Sequence, residues 1–165
     1  MSECAEQADL ILFICEYDRL TDVDDHIINM LRKTGKPVWL VANKADNITR
    51  VNEAYALLST GFPVYPVSAS HRKIDELESE IVSFLRNKYP EQSKTEEDEG
   101  IKIALVGRPN VGKSSTFNAL VGYDKVVVSA EAGTTRDPTD TVLSYKGQRL
   151  TLIDTAGFRK PGKMG

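Results

Sequence analysis

Apolar positions along the chain alternate between short continuous runs and stretches with helical spacing. Ala8 to Cys15, Val38 to Ala42, Val64 to Val67 and Ile101 to Val106 are the runs, broken only by Asp9 and Lys102, the pattern of strands buried on both faces of a parallel sheet. Parallel strands need crossover helices, and the intervening stretches predict them. Thr21 or Asp22 can cap a helix with Val23, Ile27, Met30 and Leu31 on one face, stopped by Gly35 and Pro37. Arg50 to Ser59 places Val51, Ala54, Tyr55 and Leu58 at helical spacing before Gly61 and Pro63 break it. Ile74, Leu77, Ile81, Phe84 and Leu85 mark a third helix reaching about Tyr89, and Ser114 to Val121 a fourth. Asp140 to Tyr145 and Gln148 to Ile153 read as a hairpin around Lys146-Gly147. The sum is a three-layer α/β domain with a mostly parallel six-stranded sheet and an antiparallel edge hairpin.

One stretch interrupts this rhythm. Pro90 to Gly100 sets Glu91, Glu96, Glu97, Asp98 and Glu99 against Lys94, without a large apolar residue, and reads as a solvated linker. At 165 residues and 41% hydrophobic composition the chain suits one domain with its own core. A net charge of −3 offers no general attraction to nucleic acid or anionic membrane. Cys4 and Cys15 lack metal spacing, so inert thiols in a reducing cytoplasm are expected. No apolar run approaches membrane-spanning length, and the start lacks the basic character of a secretory signal. His26 and His71 are expected at the surface or in caps, and Trp39 in the core.

The chemistry gathers at the ends of the apolar runs. After Val106 comes Gly107-Arg-Pro-Asn-Val-Gly-Lys-Ser-Ser115, where Gly107, Gly112, Lys113 and Ser114 have the spacing of a phosphate loop opening a helix. Backbone N–H groups from Asn110 to Ser115, Val111 among them, could wrap phosphates, Lys113 bridge the β- and γ-phosphates, and the Ser114 hydroxyl ligate Mg²⁺. The second run ends in Asn43-Lys44-Ala45-Asp46, at the edge where open α/β sheets bind ligands. There Asp46 can accept from N1–H and the 2-amino group of guanine, and Asn43 can reach its N7/O6 edge. Adenine lacks both donors and would leave the carboxylate unpaired. The third run leads into Ser68, Ala69 and Ser70, where the Ala69 N–H could meet guanine O6. Ala132-Gly-Thr-Thr-Arg-Asp137 has no periodicity, and Thr134 or Thr135 could close over the γ-phosphate and give its hydroxyl to Mg²⁺. Asp154, closing the last apolar run, suits the carboxylate that holds Mg²⁺ through its waters, with the Gly157 N–H as γ-phosphate sensor.

Together these motifs resemble a guanine-nucleotide-binding, Ras-like P-loop NTPase domain. GRPNVGKSS, AGTTRD and DTAGFRK are similar to the first half of the second G domain in the Der (EngA) family of tandem-domain ribosome-assembly GTPases. ADLILF through LRKTGKPVWLVANKADN to YPVSAS is similar to the second half of that family's first G domain. The resemblance implies GTP/GDP and Mg²⁺ as ligands, a cytoplasmic setting and a ribosomal partner. The family's RNA-binding KH-like domain is not in the chain, which weakens the last of these. The basic tail residues Arg159, Lys160 and Lys163 are a weak RNA signal.

In this chain the motif order is rotated: the Asn43–Asp46 and Ser68–Ser70 motifs precede the phosphate loop. This predicts a single circularly permuted G domain over 1–165, with a guanine-recognition half over 1–89, an acidic linker over 90–100 and a phosphate-binding and switch half over 101–165. An alternative is a fragment whose halves pair only between chains, as in a domain-swapped dimer. Phe158 stands where Ras-like proteins carry a water-positioning Gln. In the resembled family an Asn at the position of Asn110 helps hold K⁺, supplying charge that compensates for that loss; a turn-forming Asn is the other reading. Only Phe158 to Gly165 follow the DTAG motif, so the sensor is expected to fray. The expected activity is slow, Mg²⁺-dependent, K⁺-stimulated GTP hydrolysis through Lys113, Thr135, Gly157 and Asn110, or nucleotide binding without turnover.

Overall fold

A computed structural model describes residues 6–88, 100–121, 126–128, 141–145 and 148–153. The elements begin with β1 (Leu10–Glu16), α1 (Asp22–Arg32), β2 (Val38–Asn43) and α2 (Ile48–Ala54). A 3₁₀ turn (Tyr55–Thr60), β3 (Val64–Pro66), a second 3₁₀ turn (Ala69–His71) and α3 (Asp75–Lys88) complete the first segment. The second contains β4 (Ile101–Val106), α4 (Lys113–Leu120), β5 (Val126–Val128), β6 (Thr141–Tyr145) and β7 (Gln148–Leu152). All strands join one sheet of order β3-β2-β1-β4-β7-β6-β5. Pairs from β3 to β7 are parallel, and β7-β6-β5 is antiparallel. The six expected strands are present, and the three-residue β5 adds a seventh at the edge.

The continuous apolar run of β1 is explained by its place between β2 and β4. Leu10, Leu12 and Ile14 pack on one face of the sheet with Leu77, Ile81 and Leu85 of α3 and Phe117 and Leu120 of α4. Ile11, Phe13 and Cys15 pack on the other with Ile27, Ile28 and Leu31 of α1 and with Ala54 and Leu57. Alternate side chains therefore enter different cores, so neither parity can be polar. The result is the expected three-layer α/β fold.

Two helical faces differ from the expected ones. In α1 the buried set is Asp24, Ile27, Ile28 and Leu31, whereas Val23 and Met30 lie on the solvent side. Thr21 is the N-cap and forms a reciprocal capping box with Asp24. In the next segment Ala54 and Leu57 are buried while Tyr55 and Leu58 are exposed. The chain tightens there from α-helix into a 3₁₀ turn, which has three residues per turn, and this turns Leu57 inward in place of Leu58. Trp39 is half-buried, packed between Tyr65 and Phe84 at ring separations of 5.1 and 5.7 Å. Among the described residues no helix is long and apolar enough to cross a membrane.

Candidate functional site

Register fixes which motifs meet. Glu16 pairs with Asn43, and Phe13 with Val106, so the carboxyl ends of β1, β2 and β4 lie along one sheet edge. The loop after β4 therefore emerges beside the Asn43–Asp46 loop. Gly107 has φ +153°, and a Cβ there would overlap the carbonyl oxygen of Ile14. Gly112, at φ +103°, leaves no room for a Cβ beside the Asn43 amide. Both glycines are required by close backbone approach as well as by conformation.

Asn43 joins the two sequence segments. Its Nδ2 donates to the Val111 carbonyl at 2.9 Å, and its Oδ1 accepts from the Ala69 N–H at 3.0 Å. The side chain expected at the N7/O6 edge thus holds the phosphate loop against the Ser68–Ser70 turn, and the Ala69 N–H expected at O6 is engaged by Asn43. Lys44 has φ +68° and donates from Nζ to the Asn110 carbonyl at 3.2 Å, with Glu16 at 3.5 Å. Asn110 has φ +69°, a left-handed turn conformation that Asn tolerates.

The loop opens onto a helix end with features that suit an anion. Gly112 caps α4 without any side-chain hydrogen bond, leaving first-turn N–H groups that suit an anion. Lys113 is half-buried and donates from Nζ to the Gly107 carbonyl at 2.7 Å, and burial pushes its ammonium below the usual lysine range. A phosphate would offset that penalty. Ser114 and Ser115 are exposed at the same helix end.

At the other side of the site, Asp46 Oδ1 accepts from Ser68 Oγ at 2.6 Å, and Oδ2 accepts from Arg50 Nη1 at 3.3 Å. The Ser68 hydrogen bond chiefly, with the charges of His71 and Arg50 adding to it, holds the carboxyl below its ordinary range. Ser70 is exposed. His71 is exposed, as expected, yet its Nδ1 lies 2.8 Å from Ser68 Oγ.

The residue that sequence reasoning missed is Asp24. It is fully buried, and its Oδ2 accepts from the Thr21 N–H and from Arg108 Nε at 3.2 Å. Arg108, inside the phosphate loop, also approaches Glu16 at 3.6 Å. Burial disfavours the guanidinium charge, but Asp24 and Glu16 outweigh it and raise the pKa. The capping position was visible in the sequence; a partner 84 residues away was not. Cys15 lies behind this pair, and burial, reinforced by Asp24, pushes its thiol up to about 12. Thr134, Thr135, Asp154, Gly157 and Phe158 lie outside the described residues, as do Cys4, Tyr89, residues 90–99, the Lys146-Gly147 turn and the basic tail.

A G-x4-G-K-S loop between β4 and α4, on a mostly parallel sheet with helices on both faces, defines a P-loop GTPase fold. Residues 102–164 match the family model described as 50S ribosome-binding GTPase. Over 162 residues the chain is 44% identical to GTPase Der of Staphylococcus saprophyticus and 42% identical to that of Listeria innocua. Over 163 residues it is 45% identical to GTPase Der of Staphylococcus epidermidis. Each match covers 96% of this chain and 36% of the relative. Nearly the whole chain is similar to Der-family GTPases, and it spans about a third of the length of the relatives it matches.

Proposed function

We propose that this chain binds GTP and GDP as a single circularly permuted G domain, 1–89 supplying guanine recognition, 90–100 the connection and 101–165 the phosphate loop and switches. The observation carrying this reading is the Asn43 side chain, which bonds the Val111 carbonyl of the phosphate loop and the Ala69 N–H of the base-recognition turn at once. Two motifs with no other reason to touch are held at one sheet edge, as a ligand with a base at one end and phosphates at the other requires.

Asp46 then accepts from the guanine N1–H and 2-amino group, and its supported, ionised carboxylate suits that task. The backbone of Gly107, Asn110, Val111, Gly112, Ser114 and Ser115 receives the phosphates with Lys113, at a helix end that lacks a cap of its own. Lys44 and Ser70 border the site. Ser114, Thr135 and Asp154 are the residues that would hold Mg²⁺, which supplies charge neutralisation to the phosphates. Asn110 would hold K⁺, which supplies the positive charge that Phe158 cannot replace by orienting water. Lys113, Thr135 and Gly157 complete the set for slow hydrolysis. The description of the matching family model, 50S ribosome-binding GTPase, supports a ribosomal surface as the partner class proposed.

The test is titration of a fluorescent GDP analogue with Mg²⁺ into the monomer, with Asp46→Asn alongside. The expected outcome is guanine-selective binding that Asp46→Asn weakens for GDP and strengthens for xanthosine diphosphate, whose 2-oxo group accepts from an amide. Binding confined to a dimer, or insensitive to Asp46→Asn, contradicts the reading. Hydrolysis unchanged when Na⁺ replaces K⁺ contradicts the Asn110 role.

A further inference from the structure

The guanine reading uses Asp46, Ser68 and Ala69 and gives no part to His71, although the turn carrying it is built to hold it in place. Ser68 and Lys73 exchange both backbone hydrogen bonds, at 3.1 and 2.9 Å. Inside that closure Ala69–His71 forms a 3₁₀ turn, ended by Arg72 at φ +57°. This folds the imidazole back onto Ser68, with Nδ1 at 2.8 Å from Ser68 Oγ.

Hydrogen accounting then decides direction. Asp46 Oδ1 lies 2.6 Å from the same Oγ, and its carboxylate is also paired with Arg50, so it accepts only. A serine hydroxyl has one hydrogen, which this short contact commits to Asp46. Toward His71 the Ser68 oxygen is therefore an acceptor, and Nδ1 must carry the proton. Ser70 Oγ, at 3.4 Å from the same nitrogen, is the longer contact and can accept from that N–H as well.

Resting on the reading of Asp46 as the guanine-binding carboxylate, we infer that His71 is a positioning residue for base recognition. Its Nδ1–H donates to Ser68 Oγ, which donates to Asp46 Oδ1, while Arg50 braces Oδ2 from the other side. The two supports fix the carboxylate's rotation and leave each oxygen a lone pair for one guanine donor.

Two measurements test it on the full chain. Long-range ¹H–¹⁵N correlation of the neutral imidazole is expected to show the Nδ1–H tautomer; an Nε2–H tautomer overturns the relay whether or not nucleotide binds. Titration with fluorescent GDP is expected to show His71→Ala weakening binding roughly three- to tenfold. His71→Asn, which keeps an N–H donor near Nδ1, restores most of that loss, and His71→Ala adds nothing in a Ser68→Ala background. Equal losses for Ala and Asn, or additive losses with Ser68→Ala, overturn the positioning role. A native chain that binds no GDP but shows the Nδ1–H tautomer overturns the base reading, and with it the role in binding, while leaving the hydrogen-bond order standing.

Discussion

At the scale of single residues, the polar side chains that matter most hold other parts of the chain in place. Arg108 pairs with a fully buried Asp24, and removing the guanidinium leaves that carboxylate its Thr21 N–H bond but no counter-charge, with a second oxygen that already has no partner among the described residues. Arg108→Ala should therefore cost roughly 3 kcal/mol in urea unfolding, far beyond the value of an exposed pair such as Lys44–Glu16. A loss below about 1 kcal/mol would show that water replaces the pair. Asp46 makes a pH-dependent contribution. Its folded pKa lies below the unfolded one, so the unfolded chain binds more protons and stability rises with pH through that window. The contribution is complete above the ordinary carboxylate range, about 4, and is lost as pH falls through the lower folded value. Ser68→Ala removes the largest cause, so the Asp46 carboxyl titration followed by NMR should move up toward the ordinary range. An unchanged midpoint would assign the shift to the His71 and Arg50 charges instead. Gly107, Gly112, Lys113 and Asp46 stand out in the sequence as candidate site residues because spacing within a short loop marks them. The second uses of Asn43 and Asp24 do not, because their partners lie across the chain.

At the scale of elements, strands were read closely because burial on both faces leaves a nearly unbroken apolar run, Leu10 to Cys15 in β1 and a run broken only by Lys102 in β4. Helices were harder. The α1 stretch offers more apolar residues than its buried face uses, and only packing chooses Ile28 over Val23 and Met30. The change to 3₁₀ at Tyr55 has no marker in the sequence, and it decides between Leu57 and Leu58. The turn into α4 gives a sharper test, because two glycines with positive φ differ in surroundings. Gly35, at φ +69°, has open space where a methyl would stand, whereas a methyl on Gly112 meets Asn43. Gly35→Ala should cost about 1 kcal/mol of backbone strain and keep GDP binding. Gly112→Ala should cost about 1–3 kcal/mol and also displace Asn43 from the loop, weakening GDP binding. Equal binding by the two variants would mean that the Asn43 clamp does not position the loop.

At the scale of the whole molecule, two segments that are separate in sequence build one sheet. β1 of the first segment pairs in parallel with β4 of the second, and both cores draw side chains from both. The rotated motif order therefore costs nothing in topology: the Asn43–Asp46 and phosphate loops reach the same edge whichever comes first. In the sequence only the acidic composition of 90–100 and the motif order hint at that arrangement, since pairing between β1 and β4 is a long-range fact with no local signature. The central claim is that one chain assembles one guanine-nucleotide site from both segments. Hydrogen exchange of the monomer with and without GDP and Mg²⁺ tests it most directly. The account predicts protection at residues 43–46 and 67–73 together with 107–116, at the same nucleotide concentration. Protection confined to one segment, or appearing only in a dimer, would contradict it.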